Sequence, residues 1–275
     1  MILVTGAGGK TGKAIIRALV ARGAPVRAFV RRMAHGASLA AMGAREVIAG
    51  PMDDPHAWSR AVRGTDAIYH ICPNVSPDEI VFAKALIAAA TELGVPRLVY
   101  HSVLHPQIEA MPHHWAKLRV EEMLLASALD FTILQPTAYM QNSLAQWDLM
   151  KREGIYRVPY PVETRLSLVD LDDVAEAAAT VLTSGGHSAA TYELVGTLPL
   201  NQIETAETFG WALKKTIRAE TEAIEAWEKR ARSAGMDITA SPTQLVARTR
   251  IFMLASPAAT GRLQRALPPK RRFHH

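Results

Sequence analysis

The run Val4-Thr5-Gly6-Ala7-Gly8-Gly9-Lys10-Thr11-Gly12 carries the clearest chemistry in the sequence. A β-branched run precedes it and an amphipathic stretch follows it, the setting of a phosphate-binding loop at a helix start. Gly6 suits a tight turn, Gly9 a close approach of backbone to a pyrophosphate, and Gly12 tight packing of helix on strand. The unpaired N–H groups of the first turn then face the anion, with Gly8, Lys10 and Thr11 completing the cradle. Gly9-Lys10-Thr11 imitates the end of a Walker loop, but that motif needs glycine where Val4 stands. The spacing is G-x-x-G-x-x-G; the common dinucleotide fingerprint G-x-G-x-x-G would need glycine or a near equivalent at Thr11.

The second strand should end on the residues that choose the dinucleotide. An NAD site places an acid there to accept hydrogen bonds from the ribose 2′-hydroxyl. About 19 residues after Gly12 the sequence instead reads Val30-Arg31-Arg32. Two guanidinium groups attract a 2′-phosphate that a carboxylate would repel, so NADP(H) is expected over NAD(H). Asp53 and Asp54 follow the third strand and are placed to approach the adenine, although Asp54 also suits a helix N-cap.

The elements that must position these groups are readable from periodicity. Strand-like runs occupy 2–5, 25–30, 46–49, 67–70, 97–102 and 132–135, and helical patterns fill 10–22, 56–62, 77–93 and 113–129. Strand and helix alternating at this spacing predict right-handed βαβ units and a parallel, doubly wound Rossmann sheet, an α/β fold. Ligands bind such sheets at the C-terminal strand ends, which gathers Cys72-Pro73, Ser102 and Gln135-Pro136-Thr137 at one edge. Cys72 and Pro136 are therefore expected beside the cofactor, Cys72 as a small buried side chain. Further helices are expected over 170–182, capped by acids at Asp170 and Asp173, and over 205–214, 220–234 and 242–255, with a seventh strand over 191–195. The division expected is a dinucleotide-binding domain over 1–150, a mostly helical substrate-covering region over 151–255 with some strands returning to the main sheet, and a basic tail over 256–275. Tyr139, Met140 and Trp147 are placed to line an apolar acceptor pocket, or else belong to the core.

The chain has 275 residues, 49% of them hydrophobic and 21% charged, which excludes a disordered or collagen-like polymer. A single cysteine excludes an internal disulfide framework and a thiolate zinc site. No metal is expected. No apolar stretch approaches the roughly 20 residues of a membrane span, and no secretory signal is read at the start, so a cytoplasmic protein is expected. The net charge of +5 comes from seven Lys and Arg residues after Asp237; the rest of the chain sums to −2. No nucleic-acid-reading motif accompanies that basic end, so a small molecule rather than a nucleic acid is the expected partner. Monomer and dimer are both compatible with the sequence.

Taken together, segments 5–12, 26–32, 50–54, 99–102, 117–124 and 132–142 resemble the NmrA-like branch of atypical short-chain dehydrogenases, over roughly residues 1–200. The resemblance implies a Rossmann domain that binds NADP(H) or NAD(H). Some members reduce quinones, dyes or enone-like compounds; others bind the dinucleotide without turnover as redox-sensing regulators. The wider superfamily uses Tyr-x-x-x-Lys after the fifth strand and a serine at that strand's end. Lys117 matches the lysine and Ser102 the serine, but His113 occupies the tyrosine position.

This departure has chemical consequences. Hydride delivery to a simple ketone creates an alkoxide that needs a general acid. Delivery to a quinone creates a phenolate-like anion whose conjugate acid has a pKa near ~10, as for tyrosine, and which needs none. The expected activity is thus hydride transfer from NADP(H) to a small conjugated, quinone-like or enone-like acceptor, with Lys117 positioning the nicotinamide. The alternatives are a dinucleotide sensor without turnover, and a carbonyl or imine reductase using His113 as the acid.

Overall fold

The computed structural model describes residues 1–73 and 76–233. In chain order, β1 (Ile2–Val4) leads into α1 (Lys10–Ala21), β2 (Val26–Val30), a 3-10 turn at Met33–His35, α2 (Gly36–Ala41), β3 (Glu46–Ala49) and α3 (Pro55–Val62). There follow β4 (Ala67–His70), α4 (Glu79–Glu92), β5 (Leu98–His101), α5 (Pro112–Leu125), β6 (Phe131–Pro136) and β7 (Ala138–Tyr139). After a 3-10 stretch, Met140–Gln146, come α6 (Trp147–Glu153), β8 (Ile155–Val158), β9 (Leu168–Val169), α7 (Leu171–Thr183), β10 (Ala190–Leu194), α8 (Gln202–Leu213), β11 (Arg218–Thr221) and α9 (Ile224–Ser233).

Seven strands form one sheet in the order β10-β6-β5-β4-β1-β2-β3, with every neighbouring pair parallel. Strands covered on both faces read as unbroken apolar runs, and β1, β4, β5 and β6 are buried at every residue. On one face Ile15 and Leu19 of α1 pack with Val174 and Ala178 of α7. On the other, Trp58, Leu86, Val120 and Leu124 join α3, α4 and α5. A smaller core of Met150, Tyr156, Val158, Ala206 and Ile217 holds β8, β11, α6 and α8 together. This is the Rossmann fold expected from the sequence, with a smaller, largely helical C-terminal part.

Several boundaries have local causes. Asp54 caps α3 by accepting from the His56 N–H at 2.9 Å, and Asp170 caps α7 by accepting from Asp172 at 2.8 Å. Asp173 stands in the first turn of α7 rather than at its cap. The fifth helix stops at Leu125 rather than at 129. There the Ser127 hydroxyl donates to the Leu124 carbonyl at 2.7 Å and accepts from the Leu129 N–H at 3.3 Å, a local alternative to the helix.

The expected helix over 220–234 is corrected. Arg218–Thr221 forms β11, parallel to β8 from Arg218↔Ile155 to Thr221↔Val158, and α9 starts only at Ile224. Arg157 on β8 reaches Glu220 at 3.3 Å, an ion pair that ties the two strands together. The helix expected over 242–255 and the basic tail lie outside the described residues. No described helix is long and apolar enough to cross a membrane.

Candidate active site

The chain leaves β1 toward β2 and β3 on one side and returns to β4 on the other, so the loops at these strand ends part and leave a crevice. A cleft of about 650 Å³ lies there, walled by the glycine loop, the ends of β2, β4, β5 and β6, and the start of α5.

The glycine loop is built as its residue types require. Gly6 has φ +57°, and a Cβ on Gly12 would lie 2.4 Å from the Gly6 carbonyl oxygen and 2.7 Å from Ala7 Cα. Only glycine at position 12 lets α1 sit this close to the loop. Gly9 is the N-cap of α1, no side chain caps the helix, and its first turn holds no acid. That start is left open to an anion. Gly8, Gly9, Lys10 and Thr11 line the cleft beside it, and partial burial lowers the Lys10 pKa. Lys10 Nζ also donates to Asn142 Oδ1, bridging the loop to the 3-10 stretch beyond β7.

Arg31 and Arg32 line the same cleft at the end of β2, both solvent-exposed. Sequence reading missed a third group at this corner: His35 lines the cleft, and its ring lies 2.7 Å from where a Gly8 Cβ would stand. The only advance signal was its place just after the arginine pair. Asp53 is exposed and does not line the cleft; its neighbour Met52 does. The uncapped helix start, the glycine cradle and the two guanidinium groups fit the pyrophosphate and 2′-phosphate of NADP(H).

The far end of the cleft holds Cys72, Ser102, His113, Lys117 and Pro136. Lys117 Nζ donates to Glu79 Oε1 at 3.0 Å and to the His101 carbonyl at 3.1 Å. Its ammonium also lies 5.3 Å from the centroid of the Tyr100 ring, whose hydroxyl donates to the same Glu79 oxygen at 2.8 Å. Two of the three ammonium donors are thereby used, leaving one for a ligand. The Ser102 hydroxyl donates to Glu121 Oε1, and Gln135 Nε2 donates to both Glu121 oxygens at 2.9 and 3.0 Å. Burial raises the Glu121 pKa, against the pull of these two partners. Burial and the Glu79 charge push the Cys72 thiol up, which makes it a buried thiol and not a nucleophile. His113 stands in the first turn of α5 behind Pro112, half-buried, its ring edge-on to His114.

Strands β4 and β5 each end in Tyr-His, and of these four residues His101 lines the cleft. Thr5 Oγ1 sits 3.1 Å from His70 Nδ1 and ties β1 to β4. The Tyr69 hydroxyl meets His101 Nδ1, and Tyr139 OH lies 2.6 Å from His101 Nε2. Burial lowers the pKa of His70 to about 4 and of His101 to about 3, so both rings are neutral at pH 7. The repeated Tyr-His ending, at the edge where ligands bind, was a legible signal that the sequence reading passed over. Of the apolar residues expected in an acceptor pocket, Tyr139 lines the cleft; Met140 and Trp147 do not, and Met111 does.

Known proteins resemble the chain along most of its length. It is 28% identical over 263 residues to an NAD(P)H azoreductase of Xenophilus azovorans, covering 94% of this chain and 88% of that one. It is 28% identical over 198 residues to quinone oxidoreductase 2 of Escherichia coli, covering 71% and 68%. The structure of Citrobacter sp. triphenylmethane reductase complexed with NADP(H) superposes with a TM-score of 0.77 over 92% of this chain and 89% of that one, at 23% identity, which shows a common fold. The pattern of the NmrA-like family matches residues 1–241, and the chain belongs to that family.

Proposed function

We propose that the chain is an NADP(H)-dependent oxidoreductase that delivers hydride to a small conjugated acceptor, quinone-like or enone-like. The observation that carries this reading is a single cleft with a phosphate cradle and two arginines at one end and Lys117, Ser102 and His113 at the other. Related reductases of azo compounds and quinones support it. A cytoplasmic setting belongs to the same proposal.

Gly6, Gly9 and Gly12 give the pyrophosphate room, and the start of α1 offers it N–H donors. Arg31 and Arg32 pair with the 2′-phosphate. Lys117, fixed by Glu79 and the His101 carbonyl, offers its remaining N–H to the nicotinamide ribose. The bound dinucleotide supplies the hydride. Ser102, its proton committed to Glu121, retains lone pairs toward the cleft and acts as an acceptor rather than a donor.

The test is a fluorescence titration with NADPH and NADH, followed by quinones, enones and ketones at 340 nm. Tighter binding of NADPH with acceptor-dependent oxidation is expected. Tight binding with no oxidation by any acceptor would identify a sensor instead. The turning of Ser102 toward Glu121 is the observation that favours that second reading.

A further inference from the structure

The phenol that short-chain dehydrogenases carry on α5 is replaced here by His113. A different phenol reaches the same cleft. Tyr139, on β7, lines it together with Ser102, His113 and Lys117, and its hydroxyl lies 2.6 Å from His101 Nε2.

The direction of the hydrogen bonds behind Tyr139 follows from burial. Tyr69 is wholly buried and its hydroxyl meets His101 Nδ1. A buried O–H left undonated is strongly disfavoured, so Tyr69 gives its proton to Nδ1, which is the bare nitrogen. His101, its pKa pushed down to about 3 by burial, is neutral and carries one N–H. That N–H sits on Nε2 and donates to the Tyr139 oxygen, leaving the proton of Tyr139 to face outward. Burial raises the Tyr139 pKa to about 12 and keeps the resting phenol protonated, while the hydrogen bond with Thr11 pulls the other way; the Lys10 ammonium lies over the ring, 5.6 Å from its centroid.

We infer that Tyr139 is the proton donor of this reductase, with His101 and Tyr69 as positioning residues behind it, so that neutral enone or carbonyl acceptors are reduced as well as those whose anions leave unaided. The inference rests on the reductase reading above. The acceptor gains a hydride and its two electrons from the reduced nicotinamide, and negative charge collects on the acceptor's oxygen. The O–H bond of Tyr139 breaks as an O–H bond forms on the acceptor. The phenolate oxygen is held by the Nε2–H and Thr11, with the Lys10 ammonium over the ring, and water entering the emptied cleft returns the proton.

Two acceptors separate the proton from the hydride. A cationic triarylmethyl dye becomes neutral on taking hydride and needs no proton, whereas a neutral enone needs one. In the NADPH-loaded full chain, Y139F is expected to lower kcat for the enone by ~10²-fold or more, and kcat for the dye by at least about tenfold less. Nitrogen-15 NMR of the wild-type chain without cofactor is expected to show His101 protonated at Nε2. This reading decides even where Y139F does not fold. The opposite tautomer overturns the inference. So do equal losses for both acceptors, and so does an enone-selective loss in H113F that Y139F lacks. No turnover of either acceptor by the wild-type chain overturns the reductase reading itself.

Discussion

Lys117 and Glu79 form a buried ion pair, Nζ 3.0 Å from Oε1, that joins the middle of α5 to the first residue of α4 across the end of β5. The lysine that faces the cleft is therefore held from behind by a group that belongs to the core.

Removing one partner leaves the other charge buried, which costs about 3–5 kcal/mol; removing both with apolar replacements costs far less. Glu79→Ala is expected to destabilise by about that amount. Urea unfolding of Glu79→Leu, Lys117→Met and their combination should show the double variant losing less than the sum of the singles. Additive losses would mean that the pair does not couple.

Gly12 and Gly185 make a matched pair of glycines. A Cβ at 12 would overlap the loop backbone, while a Cβ at 185 meets nothing within 4 Å. Gly12→Ala is expected to cost roughly 1–3 kcal/mol and to weaken NADPH binding sharply, with Gly185→Ala close to neutral. Thermal unfolding and NADPH titration of both variants check this. Equal behaviour of the two would contradict the cradle geometry.

Charge reversal of Arg31 and Arg32 is expected to weaken NADPH binding by roughly 10- to 100-fold, from the loss of charge-assisted hydrogen bonds. NADH binding should change much less. Salt titration should show the wild-type preference for NADPH falling as ionic strength rises. Unchanged NADPH affinity in the reversed variant would remove the arginines from the 2′-phosphate site.

Three buried histidines among the described residues are expected to set the acid stability. His70 and His114 are lowered to about 4 and His101 to about 3, each chiefly by burial, against ~6.5 in the unfolded chain. Between these values the unfolded state binds more protons, so stability is complete above ~6.5 and lost as pH falls toward 4. Each histidine contributes roughly 1 kcal/mol per pH unit in that window. Glu121, raised by burial, acts in the opposite sense and offsets part of this. A urea midpoint clearly lower at pH 5 than at pH 7 is expected; equal midpoints would mean that the histidines are not buried neutral.

The sheet was legible because both faces are covered: Ile2–Val4 is an apolar run in any register, and Phe131–Pro136 is buried along its whole length around Phe131, Ile133 and Leu134. The glycine loop was legible because its geometry leaves no other residue type at Gly12. Glu79 was not, since an acid near the start of a long helical pattern reads as a solvated first-turn residue, and only the packing of α4 against α5 turns it inward. The strand Arg218–Thr221, its last two residues read as the start of a helix, was missed for a related reason. Its partner strand, Ile155–Val158, is distant in sequence, and four residues carry too little pattern to outweigh the helix that follows.

The edge strand Ala190–Leu194 lies against Thr132–Pro136 in parallel register, from Ala190↔Thr132 to Leu194↔Pro136. During synthesis from the amino end, β6 leaves the ribosome long before its outer neighbour exists. Its backbone donors and acceptors stay open to other nascent chains until residue 194 has emerged. A fragment cut short after α7 would hold every residue of the glycine loop and still be prone to pair with itself. A fragment made to test nucleotide binding is therefore expected to need the chain through Leu194, which covers that edge.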